Sequence, residues 1–403
     1  MTIVIIGAGQ GAGQAAASFR QEGYEGELII LGDEAFPPYQ RPPLSKQYLS
    51  GTMPLERVYV RAEKFYTDKN IDLRLQTRVE TINPAKKEVT TTGGEAIAYE
   101  KLMIATGSRP RILNIEGSKL NGIHYLRTIA DVDQIQASMK KAKNVVIVGG
   151  GYIGLEVASV AVSAGLNVTV LEMEERILQR VTTPEMSEYY HDLHTTKGLK
   201  ILTKTTVSGF EGDGDGNVNK VLCGDTAIDA DLVLVGIGII PNVEIAAEAG
   251  IECENGITVD DHCRTSDPDI YAIGDCSNHP NPLLGRRLRL ESVPNAMEQA
   301  RVATTNMLGG DRIYASIPWF WSDQYDLKLQ MVGFSADGDT QVLRGNKASN
   351  QFAIFYLKGE NLVAVDAVNS PREFMICKQL YGKIVDAKVL ADPETDLKSL
   401  LGK

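Results

Sequence analysis

Thr2-Ile-Val-Ile-Ile-Gly7-Ala-Gly9-Gln-Gly11-Ala12 opens this chain of 403 residues, and Asn144-Val-Val-Ile-Val-Gly149-Gly-Gly151-Tyr-Ile153-Gly154 repeats its pattern further on. Each stretch is a short apolar β-branched run, a glycine turn and the start of a helical segment. The first glycine of each, Gly7 or Gly149, permits a tight strand-to-helix turn. The second, Gly9 or Gly151, lets backbone approach a pyrophosphate with no side chain in the way. The third position, Ala12 in one copy and Gly154 in the other, must be small for helix and strand to pack. The anion then meets the free N–H groups and positive dipole end of the helix, with Gly11 and Ile153 inside the same turns. One such match is weak. Two in equivalent contexts imply two nucleotides on one protein, and that pairing points to electrons passing between them.

The acids that close each second strand separate the copies. Asn167-Val-Thr-Val-Leu-Glu172 ends in a carboxylate where an adenosine ribose is expected, and Glu172 can accept its hydroxyls. A 2′-phosphate there would meet Glu172, Glu174 and Glu175, which favours NADH over NADPH, although Arg176 stands in the same loop. In the first copy, Glu27-Leu-Ile-Ile-Leu-Gly32-Asp33 carries its acid one place later, so Asp33 is the expected ribose contact.

The rest of the chain bounds the answer. At this length two or three domains are expected. Hydrophobic content of 43% and charged content of 23% are those of a globular protein, and the net charge of −11 argues against nucleic acid or anionic membrane as a partner. No apolar run is long enough to span a bilayer. The first fingerprint starts almost at Met1, so no targeting segment is expected before it, and five cysteines without a close pair fit a reducing cytoplasm. His191 and His194 are three apart but lack a third metal ligand, and a solvated helix face is expected for them; no metal is expected elsewhere. Asp213-Gly-Asp-Gly-Asn217 reads as a hairpin turn.

The expected fold is α/β: two Rossmann-like three-layer dinucleotide domains and a C-terminal α+β antiparallel cap. Residues 1–107 and 239–320 form one discontinuous domain, 108–238 the second and 321–403 the cap. Leu232-Val-Leu-Val-Gly236 and Asp269-Ile-Tyr-Ala-Ile-Gly274-Asp275 each end an apolar strand in glycine, which suggests nucleotide approach at the carboxyl edge of a parallel sheet.

Gln40-Arg-Pro-Pro-Leu-Ser-Lys46, Ala105-Thr106-Gly107, Tyr125-Leu-Arg127-Thr, Ile273-Gly274-Asp275, Glu291-Ser-Val293-Pro-Asn-Ala and Pro318-Trp-Phe-Trp321-Ser-Asp-Gln-Tyr325 together resemble the FAD-dependent pyridine nucleotide reductases. Within them the chain looks like the NADH-dependent ferredoxin reductases of bacterial cytochrome P450 and aromatic-ring oxygenase systems. The resemblance implies non-covalent FAD at the first fingerprint and NADH at the second. It implies FAD contacts from Gly7, Gly9, Gly11, Ala12, Asp33, Val79, Ala105, Thr106, Gly107, Arg127, Gly274, Asp275 and Val293. Trp319 and Trp321 are core residues by default, and the place of Trp321 near the start of the cap makes it a candidate flavin-side wall. The resemblance puts Lys46 beside the flavin ring and Glu156 facing both Lys46 and the nicotinamide. Gly149, Gly151, Ile153, Gly154, Glu172 and Gly236 fall to NADH. A cation at the flavin edge favours the negative charge that arrives with hydride, and a carboxylate opposite keeps that cation oriented.

One absence selects the subfamily. No cysteine precedes Cys223, so there is no thiol relay and electrons must pass directly outward; the resemblance implies a [2Fe–2S] ferredoxin as their acceptor. Such ferredoxins are acidic, as is this chain, so docking needs a local basic patch. Arg286, Arg287, Arg289 and Arg301 are the candidates, with a solvated turn as the other reading. Two rival functions share the fold: an apoptosis-inducing-factor-like NADH-sensing flavoprotein of low turnover, and an NADH oxidase.

Overall fold

A computed structural model describes residues 1–401. The chain divides into two compact units: residues 1–41, 54–109 and 239–318, and residues 42–53, 110–238 and 319–401.

The first unit is built on Thr2–Ile6. From Ile3 to Ile6 this strand is apolar and buried because it lies in the middle of a parallel sheet with both faces covered. The sheet order is Ile270–Ala272, Lys101–Ile104, Thr2–Ile6, Glu27–Leu31, Ile71–Arg74. On one face the helices Gln10–Gln21 and Val293–Met307 pack through Ala12, Ala15, Ala16, Phe19, Ala300 and Ala303. On the other an antiparallel meander, Val79–Asn83, Glu88–Thr91 and Ala96–Ala98, closes a second core around Ile82, Val89 and Ile97. Small residues on the helices let them lie close to the sheet.

The second unit repeats the plan. Asn144–Val148 is central in the parallel order Lys200–Leu202, Asn167–Leu171, Asn144–Val148, Leu232–Val235, Ile123–Tyr125. Its meander, Gly209–Gly212, Val218–Cys223 and Thr226–Asp229, covers one face, with Asp213 to Asn217 forming the expected hairpin turn. The edge strand differs in origin. In the first unit it comes late in the chain (Ile270–Ala272), and in the second it precedes the fingerprint (Ile123–Tyr125).

The same unit holds the C-terminal antiparallel sheet, ordered Trp319–Gln324, Leu327–Gly333, Asn361–Val368, Gln351–Lys358, Thr340–Asn346, with helix Pro371–Leu380 against it. The α/β class and the antiparallel cap are as expected. Buried Arg344 donates to the carbonyls of Leu390, Asp392, Pro393 and Thr395, tying the last turns of the chain to this sheet.

Candidate functional site

The two turns share one geometry. Gly7 has φ +101°, and a Cβ there would lie 2.3 Å from the Ala105 carbonyl oxygen. Gly149 has φ +111°, and a Cβ would lie 2.3 Å from the Gly236 carbonyl oxygen. Both positions are closed to other residues. At the third position only the second copy demands glycine: a Cβ on Gly154 would stand 2.2 Å from the Gly149 oxygen, whereas the methyl of Ala12 fits its core.

The second glycines are different. Gly9 and Gly151 have ordinary φ values of −93° and −81°. A Cβ on either would meet no protein atom within 4 Å. Nothing in the protein's own packing requires glycine there, and this bare backbone is what a pyrophosphate needs. Each is also the N-cap of a 12-residue helix with no side-chain cap, so first-turn N–H groups face outward for an anion. Gln10 Oε1, on the first helical residue, is buried with no hydrogen-bond partner, an acceptor suited to a ligand donor. The residues fit a dinucleotide at each turn.

Strand register explains the displaced acid. Val148 pairs with Leu171 and Ile6 with Leu31, so Glu172 and Gly32 are equivalent positions. Glu172 reaches back to its turn: Oε2 accepts the Gly150 N–H at 2.8 Å and Oε1 the Glu174 N–H at 2.9 Å. In the first copy that space belongs to the methyl of Ala8, and a Cβ on Gly32 would lie 2.5 Å from it. Asp33 is accordingly exposed, 3.7 Å from Arg78. Arg176 is drawn into its own loop by the Ser187 hydroxyl and the Gln179 carbonyl.

The other expected contacts fall on element ends. In the first unit, Ala105, Thr106 and Gly107 come directly after strand Lys101–Ile104, and the Thr106 hydroxyl donates to the Asn242 carbonyl at 2.7 Å. Gly274 donates its N–H to Gln299 Oε1 at 2.7 Å, which fixes the turn carrying Asp275, whose Oδ2 accepts the Ser108 hydroxyl at 2.8 Å. Val79 starts a strand and Val293 a helix. In the second unit, Arg127 immediately precedes the capping box of helix Ile129–Met139, and Ile153 is half-exposed in the first turn of its helix.

Lys46 and Glu156 do meet. Pro42–Ser45 forms a 3₁₀ turn, φ-locked by its prolines, that delivers Lys46. Its Nζ lies 2.7 Å from Glu156 Oε2, with the pair 9% and 3% exposed. The Ser45 hydroxyl donates to the same oxygen at 2.5 Å and the Ser322 hydroxyl to Oε1 at 2.6 Å. Three donors compensate the carboxylate for leaving water. Lys46 also lines a cleft of about 750 Å³ with Gln47, Gln136, Lys140 and Tyr325.

One reading is corrected. The solvated helix face holds for His191, which is partly exposed, and fails for His194, which is fully buried between Gln324 and Tyr325. Burial pushes its imidazole down to about 4, against the hydrogen bond to Gln324. Among the four arginines expected as a docking patch or a solvated turn, Arg286 and Arg287 are exposed. Arg287 donates to the carbonyls of Val259 and Asn278 at 2.7 and 2.6 Å, Arg289 pairs with Glu291 at 2.7 Å, and Arg301 pairs with Glu298. Backbone carbonyls and local acids accept charge-assisted hydrogen bonds from these guanidinium groups.

Sequence reasoning missed Ser45, Ser322, Gln324 and Tyr325. A signal existed in the last strand of the motif. Phe320, Ser322 and Gln324 alternate with Trp319, Trp321 and Asp323, and period-two spacing sends the two sets to opposite faces. Trp319 and Trp321 stack at 5.6 Å, while Phe320 stacks on Tyr152 at 5.3 Å.

A model of the pyridine nucleotide-disulphide oxidoreductases matches residues 1–300, and a reductase C-terminal model matches residues 319–401. The chain belongs to the pyridine nucleotide-disulphide oxidoreductases. Putidaredoxin reductase of Pseudomonas putida is 42% identical over 406 residues, covering 99% of this chain and 96% of that protein. The ferredoxin reductase for the CYP199A2 system from Rhodopseudomonas palustris superposes with a TM-score of 0.96 at 39% identity, covering 99% of each chain. A covalent putidaredoxin reductase–putidaredoxin complex gives 0.95 at 41% identity, covering 100% of this chain and 98% of that one. This oxidoreductase family is the one its motifs resemble. No helix among the described residues is long and apolar enough to cross a membrane.

Proposed function

We propose that this chain is an NADH:ferredoxin oxidoreductase, with FAD held non-covalently at the first glycine turn and NADH at the second. Electrons leave to a [2Fe–2S] ferredoxin that serves a cytochrome P450 or ring-hydroxylating oxygenase. FAD, when bound, takes two electrons as hydride and gives them up one at a time. The observation that carries this reading is the pair of second glycines, Gly9 and Gly151, which no protein atom requires. Relatives named as ferredoxin reductases, about 40% identical over nearly the whole chain, support the acceptor class.

The chain's own residues do the positioning. Glu172, held by two backbone N–H groups, offers its remaining lone pairs to ribose hydroxyls and disfavours a 2′-phosphate. Lys46 supplies a cation at the flavin edge, and Glu156 holds it in place. Asp33, Val79, the Ala105–Gly107 segment, Arg127, Asp275 and Val293 complete the proposed FAD contacts, with Trp321 as a wall. For docking, the hairpin formed by Ser277–Asn281 and Arg286–Leu288 exposes Arg286 and Arg287 beside half-exposed Leu283, a basic and apolar tip suited to an acidic partner.

The test uses the yellow holoprotein with NADH and either ferricyanide or a [2Fe–2S] ferredoxin coupled to cytochrome c. Ferredoxin should raise cytochrome c reduction at least tenfold. Arg286→Glu should lower that ferredoxin-dependent rate, and added salt should lower the wild-type rate, while ferricyanide reduction holds. A colourless protein that cannot be reconstituted with FAD, or turnover indifferent to ferredoxin, overturns the reading.

A further inference from the structure

Glu156 sits at the end of a hydrogen-bond chain that continues well past its ion pair, entirely within the second unit. The carboxylate can only accept, so Ser322 Oγ donates to it at 2.6 Å. The Ser322 oxygen in turn receives the Gln324 amide N–H at 3.1 Å. That leaves Gln324 Oε1 facing His194 Nε2 at 2.7 Å, so this nitrogen carries the proton. His194 Nδ1, 3.2 Å from the Tyr325 hydroxyl, is then the acceptor. Flipping the Gln324 amide would require the single Ser322 proton to serve two acceptors at once. The chain therefore has one consistent direction, from Tyr325 through His194, Gln324 and Ser322 to Glu156. Ser322, Gln324 and His194 are essentially inaccessible to solvent.

A second observation shows that the far end is built to close. Gln324 pairs with Leu327, so Tyr325 and Asp326 form a two-residue hairpin loop. Tyr325 has φ +55°, a left-handed conformation that such loops ordinarily give to glycine or asparagine. A bulky aromatic persists there because its hydroxyl meets His194 and its ring stands 5.7 Å from the Lys197 ammonium.

We propose that Ser322, Gln324 and His194 are positioning residues that lock Glu156, and through it Lys46, in the one orientation that serves hydride transfer. This rests on the reading of Lys46 as the cation at the flavin edge. Every donor in the chain points toward the carboxylate, so its dipoles add at Glu156. The chain is not a proton wire: the Gln324 amide accepts through oxygen and donates through nitrogen and does not readily relay a proton. A neutral imidazole suits a static role, since it supplies one donor and one acceptor without a second buried charge.

The experiment is stopped-flow reduction of the holoprotein flavin by NADH in wild type, Gln324→Leu and Ser322→Ala, with imidazole nitrogen NMR on the same proteins. In wild type, His194 should show the Nε2–H neutral tautomer down to pH 5. Both variants should slow flavin reduction about tenfold or more, leave NADH affinity within about twofold, and shift the flavin midpoint potential downward. Gln324→Glu, which turns an amide acceptor into an anion beside His194, should bring the imidazole titration up into the pH 5–8 window and impose that same pH dependence on the reduction rate. If Gln324→Leu fails to fold, Ser322→Ala, the loss of one hydroxyl, carries the test. Unchanged reduction rate and potential in a yellow variant overturn the positioning role. If wild type is not reduced by NADH, the oxidoreductase reading itself fails.

Discussion

The two glycine turns are near copies in backbone and opposites in how they fill one small space. In the second, Gly150 leaves room and Glu172 reaches back into it. In the first, Ala8 fills it with a methyl, Gly32 yields, and the acid moves outward to Asp33. The same fold thus yields one turn whose carboxylate is pinned by backbone and one whose carboxylate is exposed. A reversibly binding nucleotide gains from the pinned acid, because orientation is settled before binding. A cofactor that stays bound has less need of it.

The largest expected effect separates the turns outright. Gly7→Ala should give protein that no longer holds FAD, and Gly149→Ala protein that stays yellow yet is not reduced by NADH, read by absorbance during purification and on NADH addition. Each new methyl meets a carbonyl carbon-to-oxygen wall at an already strained φ, at a cost of roughly 3 kcal/mol or more. Equal loss of colour in both variants would break the division of labour between the turns.

Gly9→Ala and Gly151→Ala sharpen the contrast between protein-required and ligand-required glycine. Neither should lower the melting temperature of nucleotide-free protein by more than about 2 °C, because the methyl meets no atom. Each should weaken its own nucleotide about 10- to 100-fold, roughly 1.4–2.8 kcal/mol, measured by calorimetric titration. Unchanged affinity would mean that the backbone there does not carry the pyrophosphate.

The two units also each bury a neutral histidine on a glutamine, His194 on Gln324 and His279 on Gln299. Both are pushed down to about 4, chiefly by burial. With folded values below the unfolded ~6.5, the unfolded chain takes up protons first as pH falls. Stability is therefore full above about pH 6.5 and lost progressively toward pH 4. Asp366, raised by burial to about 6, runs the other way and offsets part of this, since its contribution is full below about 3.8 and lost as pH rises to 6. Net loss from pH 7 to 5.5 should be about 2 kcal/mol in urea unfolding, and His279→Asn should remove about three-quarters of it, because Asp366 still offsets the remaining histidine. A flat profile would show that the two imidazoles are not both held neutral.

The smallest effect tests the swapped side chains themselves. Gly32→Ala should cost about 1 kcal/mol through overpacking against Ala8, and adding Ala8→Gly should recover most of it. A strictly additive double mutant would break the proposed exchange of volume.

Much of this was legible in the residues. Both turns and the acid of each strand end can be read from local spacing, because glycine and strand ends constrain backbone within a few positions; the Lys46–Glu156 pair, 110 positions apart, came only through the family resemblance. His194 was not legible. Its burial depends on Gln324 and Tyr325, more than a hundred positions away, and no helical pattern reports which strand will cover a face. The tethering of the arginines was hidden for a similar reason: a guanidinium reads as free surface charge until the carbonyls that hold it, Val259 and Asn278 for Arg287, are in view.

The strand Trp319–Gln324 carries indoles on one side and the Ser322–Gln324 pair on the other, and it ends in the tightest loop a hairpin allows. A slip of one residue would turn the tryptophans onto Glu156 and expose the serine and amide. With only Tyr325 and Asp326 in the bend, no slack exists to absorb an insertion or deletion. This edge of the molecule can change its letters but not its length.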